Sequence, residues 1–162
     1  MNPPTIQAIA AKTLVGIQVR TTLATDNPVS YWKPFKMGLS KIENALTDRF
    51  YSIQTYDALD FDTFSPQTEF TKWAAVEVSG LDNIPEGMAA FELPAGNYSV
   101  FKHKGTPTSF HLTTQYIFDS WLPNSEYELD NRPRFELMDK DYVPTDANAK
   151  ELVYIPIKKR QL

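Results

Sequence analysis

Apolar and polar positions alternate along residues 13–23, TLVGIQVRTTL, with Leu14 to Val19 at the centre. A period of two is the signature of a strand with one buried face. The period then lengthens. Over DNPVSYWKPFKMGLSKIENAL, Trp32, Phe35, Leu39 and Ile42 recur at intervals of three or four behind the helix-opening residues Asp26, Asn27 and Pro28, which predicts a helix. Pro34 and Gly38 interrupt it. Because a proline ring removes a backbone donor, a kink is expected there, or a start delayed until Pro34 lies in the first turn. Aromatic and β-branched residues then crowd RFYSIQTYD (49–57) and EFTKWAAVEVSG (69–80), two further strands separated by a loop containing Pro66.

The order repeats in the second half. MAAFELPAGNYSVFKHKG (88–105) reads as a strand pair turning at Pro94, Ala95 and Gly96. A helix capped by Thr106, Thr108 or Ser109 follows, with Phe110, Thr114, Ile117 and Trp121 along one stripe until Pro123 ends it. After the loop NSEYELDN come RPRFELMD (132–139) and ELVYIPIKK (151–159), two closing strands. Strand, helix, strand, strand, written twice without an interdomain linker, predicts a single α+β domain over 1–162 with pseudo-repeats of about 1–80 and 88–162. Its parts would be an antiparallel sheet, two main helices and a central groove where the halves meet.

Composition narrows the function classes. The chain is 42% hydrophobic and 13% aromatic, enough to fill one core. A formal net charge of -4 argues against a broad phosphate-binding face, so no direct contact with nucleic acid is expected. The absence of cysteine rules out a disulfide framework and a thiolate metal site. The start, MNPPTIQAIAAK, has neither the basic region nor the apolar stretch of a signal peptide, and no later run has the length of a membrane span; a cytoplasmic location is expected. His103 and His111 lack companion ligands for a metal, and Asp57, Asp60 and Asp62 lack the glycine turn and closing glutamate of a calcium loop. Neither a G-x-S-x-G elbow nor a phosphate-cradling glycine loop occurs, so neither metal nor cofactor is expected.

Within RFELMD, strand alternation puts Phe135 and Leu137 on one face and Arg134, Glu136 and Met138 on the other. On the residues alone, Glu136 is a solvent-facing carboxylate, an ion-pair partner of Arg134, or a carboxylate set in a pocket. In an aromatic, dry groove such a group either holds a cation or, desolvated and alone, moves a proton as general acid or base. Trp32, Tyr56, Trp73 and Tyr154 are the aromatic candidates for groove walls; aromatic faces attract organic cations by about 0.5–2 kcal/mol each, although core packing is the other use of any large ring. Glu77, on the face of Trp73 and Ala75, is either a second groove carboxylate or a solvated edge position.

ELPAGNYSVFKHKG (92–105), the aromatic helix ending in WLPNSEYELDNRPRFELMD (121–139) and ELVYIPIKK together resemble the GyrI-like small-molecule (effector) binding family. LVGIQVR, YWKPF, YSIQTYD and FTKWAAVEV extend the resemblance over nearly the whole chain. It implies two fused strand-helix-strand-strand modules of SHS2 type, related by a pseudo-twofold axis, and a groove glutamate at the position of Glu136. The family includes drug-sensing halves of transcription regulators, stand-alone binding proteins, gyrase-modulating proteins and hydrolases of cyclopropane-bearing natural products. The leading expectation is a stand-alone protein that senses or sequesters hydrophobic, aromatic or cationic small molecules, with Glu136 as counter-charge and Trp32, Tyr56, Trp73 and Tyr154 as walls. The alternatives are a hydrolase in which Glu136 activates water while a tyrosine donates a hydrogen bond, and an interaction module that docks on gyrase or a separate regulator. The first strand begins within about a dozen residues of Met1, so no helix-turn-helix is expected ahead of it.

Overall fold

Two short links force the sheet to curl. The computed structural model describes residues 2–56, 65–143 and 146–161; Asp57, Asp60 and Asp62 lie outside them. The elements run β1 (Thr5–Ile9), β2 (Lys12–Thr22), α1 (Val29–Gly38), β3 (Ala45–Thr55), β4 (Glu69–Val78), β5 (Ala89–Leu93), β6 (Gly96–Lys104), α2 (Pro107–Gln115), α3 (Leu122–Asn124), β7 (Tyr127–Leu129), β8 (Arg134–Asp139) and β9 (Lys150–Lys159). Along the hydrogen-bonded path the order is β1-β6-β9-β8-β3-β4-β2-β5, with β7 on β9, and every pairing is antiparallel. Pro94 and Ala95 alone join β5 to β6, which stand six strand steps apart on that path. Laid flat, those steps would span roughly 29 Å, whereas the link reaches about 11 Å. Ala10 and Ala11 impose the same closure on β1 and β2. The result is a curled, mainly β half-barrel with two helices against its outside. The expected strand pair at 88–105 is therefore not a hairpin: β5 pairs with β2, and β6 with β1 and β9.

The concave side is filled by Leu14, Tyr51, Ile53, Trp73, Leu93, Tyr98, Phe135, Leu137 and Tyr154. On the convex side α1 sets Tyr31 and Phe35 against Val15, Phe50, Ala74, Val76 and Met138. Beside it, Ile117, in a π-helical turn (Tyr116–Trp121) that prolongs α2, covers Phe101, Val153, Ile155 and Ile157. The two clusters leave a strip of sheet between the helices.

Helix α1 begins at Val29, so Pro34 is interior rather than in a delayed first turn. The start is held by the Asn27 and Pro28 carbonyls, which accept from the Ser30 and Trp32 amides at 3.0 and 2.9 Å. With no amide at Pro34 to bond the carbonyl four residues back, the helix stays short and tightens into a 3-10 turn over Leu39–Lys41. The second helix passes Trp121 and ends at Asn124, one residue beyond Pro123, which has no amide to bond the turn before it. Among the described residues no helix is long and apolar enough to cross a membrane.

Candidate functional site

Register places Glu136 on the strip of sheet where the two helix-covered clusters meet. On β8 it pairs with Ser52 of β3 and Val153 of β9, while Met138, two residues on, packs under α1. Period-two alternation carries this convex face across the sheet from Glu136 through Ser52 and Ala74, both small and buried. Its Oε2 atom is buried and accepts no hydrogen bond among the described residues.

Arg134, the intra-strand neighbour on the same face, does not pair with Glu136. Its Nη2 donates to the Tyr56 hydroxyl at 2.8 Å and its Nε to Gln54 Oε1 at 3.3 Å. The guanidinium also lies over the Tyr56 and Phe118 rings, 5.3 and 5.6 Å from their centroids. The π-helical turn presents Phe118: widening the helix re-aims the side chains that follow, and Phe118 comes to face β8.

Glu151, at the start of β9, shares the convex face two residues from Val153 and so stands diagonal to Glu136. Burial first, and the charge of Glu136 second, push its carboxyl up to about 7; a hydrogen bond from Tyr142 and the Lys72 ammonium pull the other way. Lys72 of β4 is buried on this same face, opposite Gln54. Tyr142, in the segment after β8, is itself raised to about 12 by burial, by its bond to Glu151 and by Glu136. Tyr31 is raised further still, mainly by burial, then by Asp26, whose carboxylate accepts its hydroxyl at 3.1 Å, and by Glu136. At one end of the strip Trp32, Phe50, Met138 and Tyr142 line a cavity of about 170 Å³.

The sequence-derived candidates divide by face. Trp32 and Tyr56 lie with Glu136 on the convex side, half-buried. Trp73 and Tyr154 do not: alternation turns both into the concave core, where Trp73 packs on Phe91 and Tyr154 on Phe135. Glu77 shares the concave side with Trp73, as its spacing requires, and its carboxylate meets Lys12 at 3.5 Å. His103 is buried on the convex side, its Nδ1 2.6 Å from the Thr113 hydroxyl, and His111 is exposed on α2. Among the described residues no three potential ligands stand close enough to hold a metal. Sequence reasoning missed Glu151, Lys72 and Tyr142. For the first two a signal existed: each is the one charged residue in an apolar period-two series, Glu151-Val153-Ile155-Ile157 and Phe70-Lys72-Ala74-Val76.

The chain is 37% identical over 93 residues, 57% of its length, to the transcriptional regulator BrlR of Pseudomonas aeruginosa, and it spans only 34% of that regulator. Among solved structures it superposes on the EcmrR C-terminal domain with a TM-score of 0.73 at 14% identity, over 96% of this chain and 97% of that one. With SAV2435 bound to tetraphenylphosphonium the TM-score is 0.71 at 18% identity, over 96% and 93%; with a hydrolase encoded by lin2189 from Listeria innocua it is 0.63 at 8%, over 96% and 92%. These likenesses establish the fold. The description of the GyrI-like small molecule binding domain matches residues 2–158, and the chain belongs to that family.

Proposed function

We propose that the protein captures hydrophobic organic cations, aromatic ones foremost, in the groove between α1 and α2, with Glu136 as counter-charge and Trp32 and Tyr56 as flanking aromatic surfaces. Trp73 and Tyr154 lie on the other side of the sheet, Trp73 against Phe91 and Tyr154 against Phe135 of β8, and serve the core rather than the groove. The observation that carries this reading is the buried, unpartnered Oε2 of Glu136. A buried acceptor left without a donor costs about 1–3 kcal/mol, and more when charged, so a cation that meets it supplies a partner that the described residues do not. SAV2435, which shares the fold, has a structure with a ligand of this class.

The finer architecture belongs to the same proposal. β2-α1-β3-β4 and β6-α2-β8-β9, the latter with β7 inserted, have one element order, and outward from the β3/β8 seam they lay down strands in one sequence, β3-β4-β2 and β8-β9-β6. We read this as a single domain made of two SHS2-type modules, with Glu136 beside the seam. A hydrolase reading asks for a tyrosine hydroxyl free to donate, yet those of Tyr31 and Tyr142 already donate to Asp26 and Glu151. Drug sensing or sequestration is therefore preferred to turnover.

Thermal unfolding with and without tetraphenylphosphonium tests the reading. The melting temperature of the wild type rises with ligand concentration by mass action, and Glu136→Gln loses most of the rise. An equal response from both proteins overturns the counter-charge role.

A further inference from the structure

We propose that Glu151 is a second anionic arm of the groove and its specificity-determining residue: with Glu136 it selects aromatic ligands carrying two cationic centres, and a proton takes its place when the ligand carries one. The inference rests on the groove reading above and deepens it.

Geometry comes first. The pairing of Glu136 with Val153 makes Glu151 its diagonal neighbour on the same face, a relationship that separates side chains by about 7–8 Å at the backbone and less at their tips. Two carboxylates so placed present one continuous acidic surface. Tyr142 donates to Glu151, but a carboxylate accepts up to about four hydrogen bonds, and Glu136 Oε2 accepts none among the described residues.

The charges around Glu151 leave the surface short of positive partners. From β4, Lys72 acts on it. From β6, His103 is its cross-strand partner, but burial lowers the pKa of that imidazole and its Nδ1 is engaged with Thr113. From β8 come Glu136 and Arg134, the latter held by Gln54 and Tyr56. From α1 and the segment after β8 come the neutral phenols Tyr31 and Tyr142, with Lys36 and Lys140 farther out along the cavity beside Tyr142, the latter paired with Asp48 at 3.5 Å; α2 contributes Thr113, which does not titrate. Among the described residues Lys72 is thus the cation that acts on Glu151, and further positive charge is supplied by a proton on Glu151 or by a ligand. Near neutral pH the two compete. A ligand with one cationic centre offsets the charge of Glu136 and leaves most of the proton; one with two centres also competes for Glu151 and expels more of it to solvent.

The test uses two matched probes, benzyltrimethylammonium and p-xylylene-bis(trimethylammonium), whose second centre stands about one diagonal cross-strand spacing from the first. Calorimetric titrations in buffers of different ionisation heat count the protons released. We expect the bis-cation to bind wild type about tenfold tighter than the mono-cation at pH 8, the preference to shrink to roughly twofold at pH 6 as Glu151 protonates, and proton release at pH 6 to be larger with the bis-cation, about half a proton, than with the mono-cation, which only offsets the charge of Glu136. Glu151→Gln should bind both probes alike at either pH while retaining tetraphenylphosphonium. The proton count needs no variant, so an unfolded Glu151→Gln does not shelter the proposal. No greater proton release with the bis-cation than with the mono-cation by wild type at pH 6, or a bis-cation preference kept in Glu151→Gln, overturns it. Failure of tetraphenylphosphonium to bind wild type at all overturns the groove reading instead.

Discussion

The ring of Phe135 stacks on that of Tyr154 with centroids 4.4 Å apart and planes 12° from parallel, on the opposite side of the sheet from Glu136. One residue along β8 separates the aromatic core from the candidate site. Removing either ring should cost stability without touching the groove: Phe135→Ala or Tyr154→Ala is expected to lose about 3–5 kcal/mol in denaturant unfolding, while the fraction that remains folded binds tetraphenylphosphonium close to wild type. Trp32→Ala should invert the pattern, with a smaller loss of stability and about tenfold weaker binding, the scale of a stacked or cation-facing ring. Paired unfolding and binding curves for the three variants check the division of faces.

Tyr56→Phe keeps the ring beneath Arg134 but removes the hydroxyl that accepts its Nη2 at 2.8 Å. The expected loss is about 1–2 kcal/mol, read as a melting temperature lowered by a few degrees. Freed from that acceptor, the guanidinium is within reach of Glu136 on its own strand and competes with cationic ligands. Ligand affinity should therefore fall in Tyr56→Phe and recover when Arg134→Gln is added.

Glu151 also makes stability depend on pH in a direction opposite to an ordinary paired carboxylate. Its folded-state pKa, about 7, lies above the 4.5 of the unfolded chain. The native state therefore binds the extra proton between those values. The contribution is present in full below about pH 4.5 and is lost as pH rises through 7, on the order of 3 kcal/mol in total. Urea unfolding of wild type and Glu151→Gln at pH 4.5, 6 and 8 should show this decline in the first and its absence in the second.

Gly16 lies between β4 and β5, paired with Ala75 on one side and Ala89 on the other. A Cβ there would run into the carbonyl oxygen of Ala74 and the Cα of Ala75, both backbone atoms that cannot turn aside. Gly16→Ala should cost at least about 2 kcal/mol, as overpacking against fixed atoms does. Its unfolding midpoint, set beside that of Gly80→Ala, whose added Cβ meets nothing within 4 Å, isolates the steric cause.

The strand and helix segments were legible because their signals are local. β2, β4, β8 and β9 lie within a residue or two of the runs that alternation marks out, since a half-buried strand must alternate. Pairing was less legible. The 88–105 segment carries the turn residues of a hairpin at Pro94, Ala95 and Gly96, yet its two strands go to distant places on the sheet path, because β2, β1 and β9 offer partners that no short window contains. β1 and β7 escaped notice for a related reason. β1 is exposed along most of its length and β7 is three residues long, so neither carries a burial pattern.

For the site, the sequence by itself determined that Arg134, Glu136 and Met138 share one side of a strand, and that Phe135 and Leu137 take the other, because the pleat leaves no choice. It named Trp32, Tyr56, Trp73 and Tyr154 alike, without telling the sides apart. Which side of each neighbouring strand joins Glu136 was decided only by tertiary register. Opposing Ser52 and Val153 to Glu136 puts Trp73 and Tyr154 in the concave core and brings Lys72 and Glu151, distant in the chain, to the convex side with it. A shift of one residue in any of those pairings would exchange the two sets. That register is held by the burial of whole strand faces under α1, α2 and the closed curl of the sheet, a long-range balance that no single segment records.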